Sequence, residues 1–234
     1  PELSRKLRAG DHAAVLDGQN RSLEFALFLT LPAAVALCVA AGPVVSVLFE
    51  RGAFTALDTR ATAAALAAFA FGLPSFVLIK VLQPAFFARE DMRTPMRLAG
   101  VNLAVNVAGS VALYFAFDAL GWWPHVGIAI ATTVAGWLNA LLLWRTLVRR
   151  GHFVADARLM RSLPMVLVAS AVMGAALWAL ADPLAPWLAV ANPTWLRFAA
   201  LSGLVAAGLA VYFACAVATG AVRMSTLKSA MRRR

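Results

Sequence analysis

The sequence predicts an all-α integral membrane protein, a bundle of about six transmembrane helices, and three observations carry that prediction. Hydrophobic residues make up 62% of the chain and charged residues 14%, with a mean hydropathy of +0.78, whereas an ordinary soluble domain holds roughly 45 to 50% and about 25%. The apolar residues gather into six runs of about the 20 residues needed to cross a ~30 Å hydrocarbon core. Those runs consume most of the 234 residues and leave little for an extramembrane domain. The basic residues lie between the runs rather than along one face of a folded domain. The net charge of +10 therefore belongs to membrane orientation and anionic phospholipid headgroups, and no nucleic-acid partner is expected.

Taken in order, residues 1–22 are polar and mixed in charge and read as a cytoplasmic amphipathic lead-in, with a surface helix running from Asp11 toward Glu24. The six-helix transmembrane region, 23–222, follows. Its first span, 23–49, contains Pro32 and Pro43, which membrane helices tolerate when neighbours satisfy the freed backbone groups. The turn Glu50-Arg51-Gly52-Ala53-Phe54-Thr55 closes it, and Thr55 or Asp58 can cap the next helix. The second span, 62–88, has expected kinks at Pro74 and Pro84, and Lys80 is its one charged interruption. A polar loop from Arg89 to Pro95 leads to the third span, 98–117. Trp122 and Trp123 then mark an interfacial belt before the fourth span, 126–144. A basic segment from Arg145 to Arg161 precedes the fifth span, 163–181. A loop bounded by Asp182-Pro183 and Asn192-Pro193-Thr194 precedes the sixth span, 196–222, and residues 223–234 form a basic cytoplasmic tail.

Charge sets the orientation. With six crossings, one side receives Arg5, Lys6, Arg8 and Arg21, then Arg89, Arg93 and Arg97, then Arg145, Arg149, Arg150, Arg158 and Arg161, and finally Arg223, Lys228 and Arg232 to Arg234. The opposite side receives only Arg51, Arg60 and Arg197. This asymmetry places both ends of the segment in the cytoplasm. The chain opens at Pro1 with neither an initiator Met nor a signal peptide, as expected of a piece of a longer protein.

Few residues point to chemistry. Lys80 is the sharpest candidate, because intramembrane charges often mark substrate or ion paths. The competing account is snorkelling toward the headgroups past Phe87, over about 10 Å of helix rise. Asn102 and Asn106 share a helical face and could line a polar path, or hydrogen-bond to a neighbouring helix with Asn139 as a partner. Gly127, Ala131 and Ala135 form a small-residue stripe suited to helix packing. Glu90 and Asp91 sit among Arg89, Arg93 and Arg97, where mutual charge compensation is expected. His12, His125 and His152 fall in separate segments without zinc-like spacing, and no phosphate-cradling glycine loop occurs. Cys38 and Cys215 lie in apolar runs and read as small buried residues. No enzyme constellation, metal site or cofactor is expected.

Several motifs in one order carry a resemblance. Leu3-Ser4, Gly10-Asp11, Leu31-Pro32-Ala33-Ala34 and Leu48-Phe49-Glu50-Arg51-Gly52-Ala53-Phe54-Thr55 with Asp58 are followed by Gly72-Leu73-Pro74 and the run from Lys80 to Pro95. Over roughly residues 1–106 the sequence resembles the MurJ (MviN-type) lipid II flippases, and the remainder matches in hydropathy and span spacing. The resemblance implies the last six spans of a fourteen-helix transporter of the multidrug/oligosaccharidyl-lipid/polysaccharide superfamily, in the bacterial inner membrane. The implied cargo is lipid II, the undecaprenyl-diphosphate-linked peptidoglycan precursor, carried from the cytoplasmic to the periplasmic leaflet by alternating access for cell wall synthesis. The final two helices would supply a groove for the lipid tail. The N-terminal transmembrane part of the same protein is an implied partner and would hold the family's cavity arginines. On this chain, Lys80, Asp91, Arg93 and Arg97 match a family motif and are expected to act in gating or headgroup contact.

Two other readings use the same features. An exporter of another lipid-linked oligosaccharide or of a drug would keep transport and change cargo; a cation-coupled form would be expected to carry carboxylates inside its spans. A non-transporting membrane assembly domain would predict a soluble upstream domain rather than further helices.

Overall fold

The computed structural model describes residues 12–220. The described residues form helices α1 (His12–Val39), α2 (Ala41–Phe49), α3 (Ala56–Phe87), α4 (Arg93–Ala119), α5 (Pro124–Arg149), α6 (Ala157–Leu188) and α7 (Thr194–Ala218). All but α2 are long and apolar enough to cross a membrane, which gives the six spans the hydropathy predicts. Residues 1–11 of the expected lead-in, residues 221–222 of the sixth span and the basic tail lie outside the described residues.

The boundaries differ from the expected ones where proline chemistry and helix length intervene. Residues 12–22 do not form a separate surface helix but begin α1, which runs unbroken past Pro32. The first span divides at Ala40 because the Pro43 ring would press on the carbonyl of Val39 if the helix continued; Pro43 sits instead in the first turn of α2, where its missing N–H costs nothing. α3 continues through Pro74 and Pro84. Near Pro74 its carbonyls take side-chain donors: Thr133 Oγ1 reaches Ala68 O at 2.7 Å, Trp137 Nε1 reaches Phe71 O at 3.1 Å, and Ser75 Oγ reaches Gly72 O at 2.8 Å. α6 runs through Pro183 and Pro186, so part of the expected loop is helical. At 32 residues it rises about 48 Å, longer than a hydrocarbon core, so carbonyls freed near its ends reach water.

Helix ends follow local chemistry. Thr55 and Asp58 act together rather than as alternatives, with Asp58 Oδ2 accepting from the Thr55 amide at 2.8 Å and from its hydroxyl at 2.7 Å. Gly121 and Gly151, at φ +69° and +68°, close α4 and α5. Each lets the next amide return to the helix, Trp122 N to Phe117 O at 2.8 Å and His152 N to Leu147 O at 2.9 Å.

The chain divides into two compact units, residues 12–30 with Ala68–Met160 and Leu31–Ala67 with residues 161–220. The core of the first joins Leu23, Leu82, Phe86, Leu143, Leu147, Phe153 and Leu159. Here α5 is the central helix. A Cβ on its Gly127 would stand 2.7 Å from Leu113 O of α4, and one on Gly136 would stand 2.6 Å from Phe76 Cε1 of α3. The stripe of Gly127, Ala131 and Ala135 is buried, with Ala131 against Gly109. In the second unit, a Cβ on Gly174 would meet Val35 at 2.6 Å and one on Gly208 would meet Leu177 at 2.8 Å. Lipid is as apolar as leucine, so close van der Waals fit and interhelical hydrogen bonds hold such helices together. The buried polar contacts are correspondingly informative.

Candidate functional site

The structure separates the residues singled out by sequence. Lys80 projects from α3 as an exposed side chain with no hydrogen bond or ion pair to a described residue. Arg93 and Arg97, in the first two turns of α4, are likewise exposed. Asp91 is drawn into a built corner instead. Its Oδ1 accepts the Thr94 amide at 3.0 Å, fixing the start of α4, and its Oδ2 receives Arg150 Nη1 at 2.6 Å. Arg150 Nη2 also donates to Thr94 Oγ1 at 3.0 Å. The expected neighbours Arg89, Arg93 and Arg97 are therefore not what pairs with Asp91; Arg150, far away in sequence at the end of α5, does. Hydrogen bonds from Thr94, then the Arg150 guanidinium, hold the Asp91 carboxyl far below the usual carboxylate range.

Glu90, the other half of the acidic pair, has φ +60°. It occupies the left-handed position that ends α3 and that glycine usually fills, with Asp91 N returning to Phe86 O at 3.1 Å. Arg89 Nη1 donates to Ala85 O at 2.8 Å, and partial burial lowers its pKa from the ordinary arginine value. Burial first, then the nearby Arg89 and Arg150 charges, push the His152 imidazole down as well. His152 is consequently neutral at pH 7, and this end of the first unit carries its positive charge on arginine.

The asparagines also part company. Asn106 Oδ1 accepts the Ser110 hydroxyl at 3.1 Å within α4. The carbonyl oxygens of Asn102 and Asn139 are buried without a hydrogen-bond partner. No bond to Asn139 Oδ1 from the α4 asparagines is formed.

Two polar residues that sequence reading passed over are the most firmly held. Asn20, 1% exposed, donates from Nδ2 to Leu16 O and Val154 O, each at 2.9 Å, and accepts the Asp156 amide at 3.1 Å. Beside it Arg21 pairs with Glu24 and Asp156, while Asp156 Oδ1 caps α6 through the Leu159 amide at 2.7 Å. Arg158 adds a looser bond to Glu24 at 3.2 Å. In the second unit Arg197, counted by sequence only for its charge, is 5% exposed. Its signal was a lone arginine early in an apolar helix. Burying a guanidinium without an acid costs several kcal/mol, so its hydrogen bonds must be good.

The helices and these contacts set the frame for comparison with known proteins. The family model described as "Lipid II flippase MurJ" matches residues 1–196. The chain belongs to the MurJ family. The curated MurJ relatives it matches include one from Rhizobium meliloti (strain 1021), "Probable lipid II flippase MurJ", 47% identical over 100% of this chain and 42% of the relative. One of the same description from Rhizobium tropici is 44% identical over 100% of this chain and 43% of the relative. A third, from Vibrio cholerae serotype O1, is 35% identical over 98% of this chain and 42% of the relative. The chain thus spans about two fifths of the length of these MurJ relatives. A solved structure, "Lipid II flippase MurJ, inward closed conformation", superposes with a TM-score of 0.65 at 22% identity, covering 92% of this chain and 40% of that one. At that identity the likeness shows the fold. Six apolar helices and membership of this family make the chain a multi-pass protein of the bacterial inner membrane.

Proposed function

We propose that this chain is the C-terminal part of a lipid II flippase, a carrier rather than a catalyst, and that its parent moves the undecaprenyl-diphosphate-linked precursor from the cytoplasmic to the periplasmic leaflet by alternating access. The observation that carries the proposal is the MurJ family match over residues 1–196. Relatives named as probable lipid II flippases support the cargo. The remaining N-terminal helices of the parent are the partner, and both ends of this segment face the cytoplasm, as its basic residues favour.

Within this reading, Lys80, Arg93 and Arg97, exposed and without an ion-pair partner among the described residues, serve headgroup contact, whether to phospholipid or to the diphosphate of the cargo. Asp91 serves gating, since it couples the start of α4 to the end of α5. Asn102, Asn106 and Asn139 remain polar packing residues, and the unfilled acceptors of Asn102 and Asn139 suit a neighbouring donor.

The test is lipid II exposure at the periplasmic face of cells depleted of their native flippase and supplied with the complete parent protein, the 234-residue segment serving as control. Restoration by the parent supports the proposal. Failure of a well-inserted parent rejects lipid II as cargo.

A further inference from the structure

Arg197 makes four hydrogen bonds and no ion pair with a described residue. Its Nη2 donates to Ser46 O at 2.7 Å and to Ser46 Oγ at 3.1 Å, its Nη1 to Glu50 O at 3.4 Å, and its Nε to Leu188 O at 3.3 Å. Ser46 and Glu50 belong to the last turn and C-cap of α2, Leu188 ends α6, and Arg197 itself lies in the first turn of α7. From the start of α7, the guanidinium thus gathers the ends of two other helices, α2 and α6.

We propose that Arg197 is a positioning residue that fastens the α6–α7 hairpin to the C-terminal end of α2, and that translocation depends on the fork of its guanidinium rather than on its charge alone. The dependence of translocation rests on the function proposed above. The physical argument begins with what replaces the missing carboxylate. The last carbonyls of a helix have no intrahelical partner, and the helix dipole makes that end negative. Arg197 meets the ends of both α2 and α6, so two helix termini stand where a counter-ion would.

Geometry then separates arginine from lysine. A planar fork can send Nε toward Leu188 while its Nη groups reach Ser46 and Glu50. A lysine ammonium concentrates three donors on one atom and cannot span the same acceptors. Opening the clasp would leave a buried charge together with the Glu50 and Leu188 carbonyls stripped of their donor, while Ser46 O keeps the Glu50 amide. A contact of that kind stays closed while exposed ion pairs exchange, so α2, the end of α6 and the start of α7 travel as one body during transport.

Arg197→Lys and Ser46→Ala in the complete parent protein test this through two readouts. The first is amide hydrogen exchange over residues 46–50 and 185–192. The second is lipid II exposure at the outer face, normalised to inserted protein. Arg197→Lys is expected to raise exchange at both segments about tenfold or more, which corresponds to about 1.4 kcal/mol, and to lower translocation severalfold at unchanged abundance. Ser46→Ala is expected to raise exchange by a smaller factor, confined to 46–50, and it decides the matter if the lysine variant is not inserted. Wild-type exchange in both variants overturns the clasp. Raised exchange with wild-type translocation overturns its role in transport. If the unsubstituted parent exposes no lipid II, the transport reading falls, and exchange alone still decides the clasp.

Discussion

Asn20 in the first unit and Arg197 in the second are both buried polar side chains that tie a late segment to an early helix, and they are made from opposite chemistry. Around Asn20, two arginines are balanced by Asp17, Glu24 and Asp156, and several of these side chains reach solvent. Arg197 has no acid partner among the described residues and is balanced by carbonyls and helix ends. The first arrangement tolerates loss of one charge because others remain nearby and water can replace it. The second has no substitute for the lost donor. Ion pairs therefore mark the adaptable joint, and the acid-free arginine marks the fixed one.

The largest break in this comparison is expected from Arg197→Met. It fills similar space without donors and takes the Arg197 donors from the carbonyls of Glu50 and Leu188 and from Ser46, whose carbonyl keeps only the Glu50 amide, at a cost of about 3 kcal/mol. A lower thermal midpoint of the purified parent checks it, and an unchanged midpoint would place the arginine's contacts among the expendable ones. Asn20→Ala comes next, at about 2 kcal/mol, because it takes the buried amide away from the Val154 carbonyl and the Asp156 amide at a partly buried site. Denaturation with a helix-sensitive signal measures it.

A smaller effect concerns acidification. The folded pKa of His152 lies below its unfolded value near 6.5. The unfolded chain consequently binds more protons in the window below about 6.5, and stability falls as pH drops through it. His152→Asn should flatten the pH dependence of the thermal midpoint between about pH 6.5 and the lower folded pKa; a profile as steep as that of the unsubstituted protein would assign the slope to other groups. The smallest effect is expected from Arg158→Ala, which removes an exposed partner of Glu24 and costs below about 0.5 kcal/mol. Raising salt to about 1 M should erase that difference while leaving the Arg197→Met difference in place.

The residues explain why some features were legible and others were not. Apolar runs identify spans because lipid imposes one composition on every crossing helix, whatever its neighbours. The Thr55/Asp58 cap and the Gly121 and Gly151 helix ends are local as well, each settled within a few residues. Prolines were less readable: Pro43 divides a span, whereas Pro32, Pro74, Pro84, Pro183 and Pro186 lie within helices. The difference depends on the surroundings of each proline, and near Pro74 donors from α5 support the neighbouring carbonyls of Ala68 and Phe71. Among the site residues, Lys80 was conspicuous for its charge, yet the side chains that make definite contacts are Asp91, Asn20 and Arg197.

By itself, the sequence determined the membrane class, the six crossings and the resemblance that the MurJ match bears out, because hydropathy and ordered motifs are properties of the chain read in one dimension. Only the tertiary structure decided that Asp91 pairs with Arg150 rather than its near neighbours, that Asn20 holds the segment before α6, and that Arg197 is buried with no acid partner among the described residues. Such partners lie tens to more than a hundred residues apart. The energy of a charge in an apolar medium depends on what surrounds it in space, and a linear pattern does not record those surroundings.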